Sequence, residues 1–370
     1  MKIETMIYAY LAVCAAMILF NCACIYVFRR RDRVLKRRSA RLAADITEQI
    51  RRLRDGQPVS GEHIKFLRKK LGRMGGLMAF DETLEELLQR MPDAVWGYIR
   101  EIHPVFIWVT TENRYHDAVQ TAYFAYVLRK YHILTGKAIP LVVDAMMKLL
   151  EEPSLYCREN ALQAIYSTGD CGCVLQALRQ VDRSGRFYHG KLLTDGLLEF
   201  SGEHEKLISV LWEQFETFSV PMQVVILDYI RFRGGMMNDV FLSLLVDEGR
   251  DDEIRFSCIR CFGKYPDQRA YPLLLAFLEH PEERRWEYAA ISATALASYP
   301  GERTILALKQ AMSNSSWYIR FNASKSLEAF HLTYQELVDV MDSGDRYARE
   351  ILQYRLDIQQ AQKEREAVMA

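Results

Sequence analysis

The cysteine residues are the side chains of this sequence most suited to metal chemistry. Two close pairs, Cys171 with Cys173 and Cys258 with Cys261, have the short spacing that zinc sites use. Zinc requires its sulfur ligands about 2.3 Å from a single point, whereas these pairs belong to distant segments of the chain. Cys258 also occupies a small, apolar position of a helical pattern. We therefore interpret the cysteines as core residues, and the sequence predicts no metal site and no cofactor.

Short motifs of common catalytic sites are also missing. The chain contains no HExxH, GxSxG, GxxxxGK[ST] or GxGxxG, the patterns of zinc proteases, serine hydrolases and nucleotide-binding folds. The sequence therefore predicts that the protein is not an enzyme. It predicts instead a set of helices that would carry a binding surface.

The N-terminal segment has the length and composition of a membrane span. Residues 6–28 are 23 residues without a charge. As a helix they would extend about 34 Å, enough to cross a hydrocarbon core of about 30 Å. Tyr8, Tyr10 and Tyr26 lie near the ends, where aromatic rings favour the membrane interface.

Basic residues follow this segment directly and predict its orientation. They are Arg29, Arg30, Arg31, Arg33, Lys36, Arg37 and Arg38. Because such clusters stay on the cytoplasmic side, we expect a single-pass cell-membrane protein with its N-terminus outside and the rest of the chain in the cytoplasm. We also expect these side chains to attract anionic lipid headgroups.

Three other interpretations of residues 6–28 agree less well with the sequence. A cleaved signal peptide carries its positive charge before the apolar run, where only Lys2 stands here. A lipoprotein cleavage site at Cys14 would need a small residue in place of Val13. A buried helix of a soluble protein would not be expected to run for 23 uncharged residues and end at a basic cluster.

Charge is distributed unevenly along the chain. There are 48 basic and 48 acidic residues in total, but residues 29–54 hold 11 of the bases and only three of the acids. The remainder is mildly acidic, which is unfavourable for binding a phosphate backbone. We therefore expect no nucleic-acid partner.

Apolar residues continue at helical spacing beyond the basic cluster. They are Leu35, Leu42, Ile46, Ile50 and Leu53. This stripe predicts a helix that leaves the membrane and ends near Gly56. The stripe could dock on the body of the protein, lie on the bilayer or pair with a second copy of the chain.

A pattern then recurs every 32 or 33 residues. One equivalent position in each unit is occupied by Arg158, Gly190, Met222, Arg255, Glu287 and Arg320. Each unit also contains an earlier amphipathic run, so two helices fit the period, and no alternating strand pattern competes.

The chain accordingly divides into five segments. These are an anchor at 1–28, a basic juxtamembrane helix and linker at 29–60, irregular helical repeats at 61–150, regular repeats at 151–335, and a capping helix with a frayed tail at 336–370. Within the irregular segment we expect helices near 62–78, 81–90, 92–102, 114–134 and 138–151, with Asp81 capping the second. Asn113–Ala118 is a weak match to the repeat pattern.

Three segments of the regular repeats resemble the second helix of a HEAT repeat. They are Tyr156-Cys-Arg158-Glu-Asn-Ala161, Asp251-Asp-Glu-Ile-Arg255-Phe-Ser-Cys258 and Ser315-Ser-Trp-Tyr-Ile319-Arg320-Phe-Asn-Ala323. The resemblance covers about half of the chain and is weaker at Gly190 and Met222, where the arginine is missing. It implies an all-α fold in which the transmembrane helix is followed by a HEAT-like (armadillo-like) α-α superhelix, a solenoid.

The resemblance leaves two interpretations for the prominent side chains. In HEAT-like stacks the repeat arginine pairs with an acidic residue of the next unit, so Arg158, Arg255 and Arg320 would form such a ladder or else contact a partner. Trp286 and Trp317 lie at inter-helix turns. They would pack against the next repeat or, if exposed, act as binding hot spots.

The functional prediction follows from the resemblance, because solenoids of this kind generally bind proteins. We expect a membrane-tethered scaffold or adaptor for a membrane-associated protein partner, within an envelope or polysaccharide machine. The alternatives are a HEAT-fold enzyme, such as a lyase or hydroxylase, and a nucleic-acid-binding solenoid. HEAT-like hydroxylases carry several His-Glu pairs, whereas this chain has one, His204-Glu205.

Overall fold

α-Helices make up most of the chain, as the apolar periodicity predicts. The computed structural model describes residues 3–111, 117–136, 138–234 and 237–369, and within those ranges it contains no strand. The chain forms two compact units. The first comprises Met1–Gly185 and Glu199–Glu203, and the second comprises Arg186–Leu198 and His204–Ala370. The prediction of an all-α fold with a long apolar N-terminal helix is confirmed.

The first unit contains eight helices within its described residues. They are α1 (Ile3–Arg54), α2 (Gly61–Leu71), α3 (Met74–Arg90), α4 (Pro92–Thr111), α5 (Ala118–Lys130), α6 (Pro140–Leu149), α7 (Leu155–Tyr166) and α8 (Cys171–Arg183). Helices two apart in sequence pack together: α1 on α3, α2 on α4, α4 on α6 and α5 on α7. This is the packing expected when each helix pair buries its apolar face on the next pair.

α1 combines the apolar segment and the stripe that follows the basic cluster in one uninterrupted helix. Its apolar window has a mean hydropathy of 2.4, and none of that window is buried in the protein. By length and composition the helix is sufficient to cross a membrane, a test that a signal sequence near the N-terminus also passes.

The apolar stripe that follows the basic cluster docks on the body of the first unit. Leu42, Ile46 and Ile50 are at most 5% exposed, and α1 contacts α3 and α4. Ser39 and Thr83 also join α1 to α3, through hydroxyl groups 3.0 Å apart and a bond from the Thr83 hydroxyl to the Ser39 carbonyl. Of the three alternatives for the stripe, the structure shows docking on the body of the protein.

The turn between α2 and α3 differs from the prediction of one helix over 62–78. The helix ends at Leu71, and a new one begins at Met74. The chain doubles back so tightly that a Cβ on Gly76 would lie 2.1 Å from the Lys70 carbonyl oxygen. Asp81 consequently lies inside α3 and is buried, so the prediction that it caps a helix is wrong.

The next predicted helix ends too early at 102, because α4 continues through Pro104 to Thr111. Proline removes one backbone hydrogen bond, but Val105, Phe106 and Val109 are buried beyond it and hold the helix in register. The predicted helix over 114–134 corresponds to α5, and residues 113–116 of the weak repeat match lie outside the described residues.

The second unit contains eleven helices within its described residues. They are α9 (Gly190–Leu198), α10 (His204–Glu213), α11 (Val220–Arg233), α12 (Asn238–Val246), α13 (Asp252–Lys264), α14 (Tyr271–Glu279), α15 (Trp286–Ala295), α16 (Glu302–Ala311), α17 (Trp317–Ala329), α18 (Val338–Met341) and α19 (Arg346–Met369). The odd-numbered helices pack side by side in sequence order, and α12, α14, α16 and α18 each pack on the helix that follows.

Small residues and short hydroxyl side chains bring the odd-numbered helices close together. A Cβ on Gly263 in α13 would lie 3.0 Å from the Cα of Ala295 at the end of α15. The Ser326 hydroxyl in α17 donates to the Ala293 carbonyl in α15 at 2.7 Å. These contacts explain why the repeat places small residues at its core positions.

Side-chain caps are present at the C-terminal end, at residues whose types and spacing are typical of helix starts. Thr333 and Glu336 bond reciprocally as a capping box, and the Asp345 carboxylate accepts from the amides of Tyr347 and Ala348 at the start of α19. α19 continues to Met369, beyond the point near Asp357 where the apolar periodicity ends.

A buried histidine connects α2 to α4 beneath the docked part of α1. The His63 ring nitrogen lies 2.7 Å from the hydroxyl of Tyr98, and both residues are buried. Burial lowers the pKa of His63, which the nearby charge of Asp45 on α1 partly opposes.

Removing the centre of the docked stripe should destabilise the first unit. We expect Ile46→Ala to lower the free energy of unfolding by about 2–5 kcal/mol, because it leaves a cavity at a fully buried site. Thr47→Ala, at an exposed site of the same helix, is the matched control and should stay within about 0.5 kcal/mol. Thermal and denaturant unfolding of the detergent-solubilised full chain measures both, and equal effects would contradict the docking.

Acid should weaken the first unit through His63. Because the pKa of His63 is lower in the folded state, His63 takes up a proton in the unfolded chain at a pH at which it stays neutral in the folded chain. The free energy of unfolding is therefore unaffected by the protonation of His63 above the unfolded pKa of about 6.5. It decreases as the pH falls below that value, by at most about 1.4 kcal/mol per pH unit.

We expect His63→Gln to reduce the loss of thermal stability between pH 7.5 and pH 5.5. The exposed His280 offers a matched control, and His280→Gln should keep the wild-type pH dependence. Parallel curves for the wild type and His63→Gln would show that His63 has no such role.

Candidate functional site

The repeat arginines bind the backbone that precedes their own helices. The Arg158 guanidinium donates to the carbonyl oxygens of Glu152 and Pro153 at 2.9 and 2.7 Å. Arg255 donates through Nε to the Leu245 carbonyl at 3.0 Å, near the end of α12. Carbonyls at a helix C-terminus lack intrahelical partners, and a cation there is favourable. Both arginines are less than 10% exposed, which favours a structural role over contact with a partner.

Arg320 makes the same backbone contact and adds an ion pair. It donates to the carbonyl of Asn314, and its Nη1 lies 2.9 Å from the Asp345 carboxylate at the start of α19. The hydrogen bond from Arg320 lowers the pKa of Asp345. This one pair has the form of the expected ladder, whereas the guanidinium of Arg255 lies over the ring of Tyr288, 5.0 Å from its centroid.

Trp286 and Trp317 belong to one cluster of aromatic rings. Trp286 stacks on Tyr318 with centroids 4.9 Å apart, and Trp317 contacts Tyr318 at 5.3 Å and stacks on Phe321 at 4.8 Å. Trp317 and Tyr318 are 55% and 56% exposed, while Trp286 and Phe321 are half-buried. We call these four residues the aromatic surface. The aromatic surface extends across α15 and α17, so both tryptophans belong to one cluster. Trp317 remains largely exposed and is not part of the core.

Arg355 of α19 borders the aromatic surface. The Arg355 guanidinium lies 4.6 Å from the centroid of Phe321 and pairs with Glu328 at 3.6 Å. Tyr347 and Tyr354 of the same helix are 69% and 61% exposed. Exposed Trp and Tyr residues are typical of binding hot spots in protein interfaces, although Arg355 itself is largely covered.

Tyr318 and Phe321 were not singled out by the sequence. Their signal was present, because Phe321 lies four residues after Trp317 and therefore shares its face of a helix. Tyr318 points to the preceding repeat, and only the packing of α17 on α15 brings it against Trp286.

The basic residues that follow the apolar segment are exposed on α1. All seven, Arg29, Arg30, Arg31, Arg33, Lys36, Arg37 and Arg38, remain accessible to solvent or to a membrane surface. The Arg33 Nε donates to the Arg29 carbonyl at 3.3 Å along the same helix. Their side chains therefore surround the helix where the apolar segment ends.

The buried carboxylate of Asp81 is the centre of a polar network between α3 and α5. It accepts from the hydroxyls of Tyr123 and Tyr131 at 2.7 and 2.6 Å and from Lys130 at 2.8 Å. Burial and the hydrogen bonds to Asp81 raise the pKa of both tyrosines. Burial lowers the pKa of Lys130, but its bonds to the carboxylates outweigh that effect and leave it raised.

Each member of this network has an oppositely charged or hydrogen-bonded partner, and Lys130 also contacts Glu85 at 3.2 Å. A lysine with a raised pKa is a poor base or nucleophile. The network therefore joins two helices rather than supplying reactive groups.

The cysteine pairs contribute to the core or lie near it. Cys258 and Cys261 are fully buried in α13, and burial raises the pKa of both thiols, that of Cys261 to about 11. Burial likewise raises the pKa of Cys173 to about 11. Among the described residues, no group of three or more His, Cys, Asp or Glu side chains is placed to hold a metal ion.

A half-open cavity of about 580 Å³ lies between α9, α11 and the start of α13. Apolar side chains such as Val224 form its floor, and ionisable residues including Asp195 and Glu253 stand around it. Arg231 and Asp228 pair across its wall at 2.9 Å. The cavity is large enough for a small molecule or a short peptide.

His204, the histidine of the His204-Glu205 pair, contacts the following helix. Its Nδ1 lies 2.7 Å from the hydroxyl of Tyr229, and the two rings are 6.0 Å apart. The histidine therefore joins α10 to α11.

Comparisons with known proteins add little to this description. No protein-family model matches the chain, and a search of curated proteins found no match. Among solved structures, the chain is similar to human deoxyhypusine hydroxylase in complex with glycerol, with 14% identity and a TM-score of 0.27, covering 80% of this chain and 95% of that chain.

Proposed function

We propose that this protein is a membrane-anchored helical-repeat adaptor that binds another protein through the aromatic surface of its second unit. The observation that carries the proposal is the exposure of Trp317 and Tyr318 side by side at the start of α17. Tryptophan and tyrosine supply large contact areas at low entropic cost, and soluble proteins rarely leave them clustered in water.

The anchor is the second part of the proposal. The apolar half of α1 exposes side chains such as Ile18 and Phe20, which are 63% and 69% accessible. A bilayer would cover them, and the basic cluster after Phe28 would hold the body on the cytoplasmic side. We infer that the repeats are of the HEAT type, because an arginine recurs at the expected position in three of them.

Tethering would increase the effect of a modest interface. A partner in the same membrane meets the body at a high local concentration, so a small aromatic contact suffices. We propose a membrane-associated protein as the partner and an envelope or polysaccharide machine as its setting. The acidic balance of the body and the shortage of catalytic motifs support a binding role over the enzyme and nucleic-acid alternatives.

The anchor and its orientation make one prediction. In intact cells we expect the chain to resist extraction by alkaline carbonate, because an apolar helix of this length stays in the bilayer. A protease added outside should leave the body intact until the membrane is opened. Extraction into the soluble fraction, or digestion in unopened cells, would contradict the anchor or its orientation.

The aromatic surface makes a second prediction, tested with photo-cross-linking residues at positions 317 and 306 of the full chain in intact cells. Leu306 on α16 is the control, since it is exposed to the same degree, 54% against 55% for Trp317. We expect a reproducible protein adduct from position 317 only.

The recovered partner should then bind purified Trp317→Ala at least about 30-fold more weakly than the wild type, whereas Leu306→Ala should bind normally. Equal adducts from both positions, or unchanged affinity of Trp317→Ala, would refute the aromatic surface as the binding site.

A further inference from the structure

A cavity in the first unit lies where the apolar part of α1 ends. It has a volume of about 480 Å³ and is formed by α1 and the first turns of α3. α1 contributes Phe28, the last residue of the apolar segment, and residues up to Arg38, while α3 contributes Gly75 and Met78. The basic cluster thus lines a recess and is not only a charged strip.

The charge of this cavity favours an anion. Three arginines, Arg30, Arg31 and Arg38, line it, against one acidic residue, Asp32. Within the described residues, none of these three arginines forms an ion pair or a side-chain hydrogen bond, so their donors are free. Guanidinium groups bind phosphate oxygens through paired hydrogen bonds.

The remaining wall of the cavity is apolar. Phe28, Val34, Leu35 and Met78 line it beside the arginines. A ligand that fills the whole recess must therefore carry both a phosphate and a hydrocarbon portion. Inorganic phosphate would satisfy only the arginines.

The position along α1 matches a lipid headgroup. Arg30 follows Phe28 by about 3 Å along the helix axis and Arg38 by about 15 Å. The headgroup region of a bilayer extends about 5–8 Å beyond each side of the hydrocarbon core. With residues 6–28 in the bilayer, the part of the cavity beside Phe28, Arg30 and Arg31 lies at the depth of the lipid phosphates. The backbone of Arg38 lies on the aqueous side of that depth, and helical side chains lean toward the helix N-terminus, which here is toward the bilayer.

One contact shows how the recess is built. A Cβ placed on Gly75 would lie 2.5 Å from Nη1 of Arg38. The guanidinium therefore rests on the bare backbone of α3, in a place that any side chain at position 75 would occupy. Since Nη1 is the end of a flexible side chain, an alanine there would displace the guanidinium without unfolding the helix.

We propose that this cavity binds the phosphate headgroup of an anionic phospholipid, with the start of its acyl chain against Phe28 and Met78. The proposal rests on the membrane span of the proposed function for the lipid's position, but its binding chemistry can be measured without a bilayer. The site is specific to the geometry of Arg38 and Gly75, beyond the general attraction of a basic strip.

The test uses the full chain in neutral detergent, which removes the surface potential of an anionic bilayer. Dioctanoyl-phosphatidylglycerol is titrated, and native mass spectrometry counts the bound lipid. Dioctanoyl-phosphatidylcholine tests the charge of the headgroup, and inorganic phosphate is the free-anion competitor. We expect one tight phosphatidylglycerol site, at least about tenfold tighter than phosphatidylcholine.

Three variants separate the pocket from general charge. Arg38→Gln removes a lining guanidinium, and Gly75→Ala displaces it while keeping every charge. We expect each to weaken phosphatidylglycerol binding by about fivefold or more. Arg33→Gln removes one charge from the same segment outside the cavity and should change binding by less than about twofold. Thermal unfolding checks that all three variants fold.

Three results would overturn the proposal. They are equal losses in Arg33→Gln and Arg38→Gln, unchanged binding in Gly75→Ala, and displacement of the lipid by inorganic phosphate at matching concentrations. Carbonate extraction tests the span separately. A chain that is extracted from membranes but shows the expected binding pattern would refute the proposed anchor and keep the pocket.

Discussion

The burial of one apolar stripe on α1 is the constraint on which the first unit depends. Ile46 and its neighbours Leu42 and Ile50 are removed from solvent against α3 and α4. Each such side chain contributes about 1.5–3 kcal/mol when fully buried. Because the same helix carries the apolar segment without a break, the body is joined to that segment by a helix and not by a flexible linker. The position of α1 on α3 also creates the basic cavity, since Arg38 and Gly75 meet only in the docked arrangement.

Two buried polar groups of the first unit are paired between its helices. Asp81 binds two tyrosines and a lysine, and His63 binds Tyr98. A buried charge is costly unless it is paired and hydrogen-bonded. These networks therefore specify which helices pack together. Their residue types are also common in active sites, but here the side chains bond to one another across helices. The exposed rings at Trp317 and Tyr318 have the opposite character, because nothing among the described residues covers them fully.

The same repeat position serves different purposes in different repeats. Arg158 and Arg255 are buried and bind carbonyls of the preceding turn, so the arginine closes the helix pair to which it belongs. Arg320 makes this contact too, yet remains near enough to the surface to pair with Asp345. The recurring arginine therefore has a structural role in all three repeats. Whether it also contacts another group depends on which side chains the next repeat places beside it.

The sequence by itself determined the helical class, the apolar segment, the basic cluster and the caps at Thr333 and Asp345, because each is encoded by residues close together in the chain. It also predicted the stripe around Ile46, since the spacing is local. Tertiary structure decided where that stripe docks, that Asp81 lies within α3, and that α4 continues past Pro104, because distant side chains outweigh local preferences there. It likewise decided that Trp286 meets Tyr318 and that Arg38 lies on Gly75. Those contacts join residues from different helices, and only the packing of one helix on another brings them together.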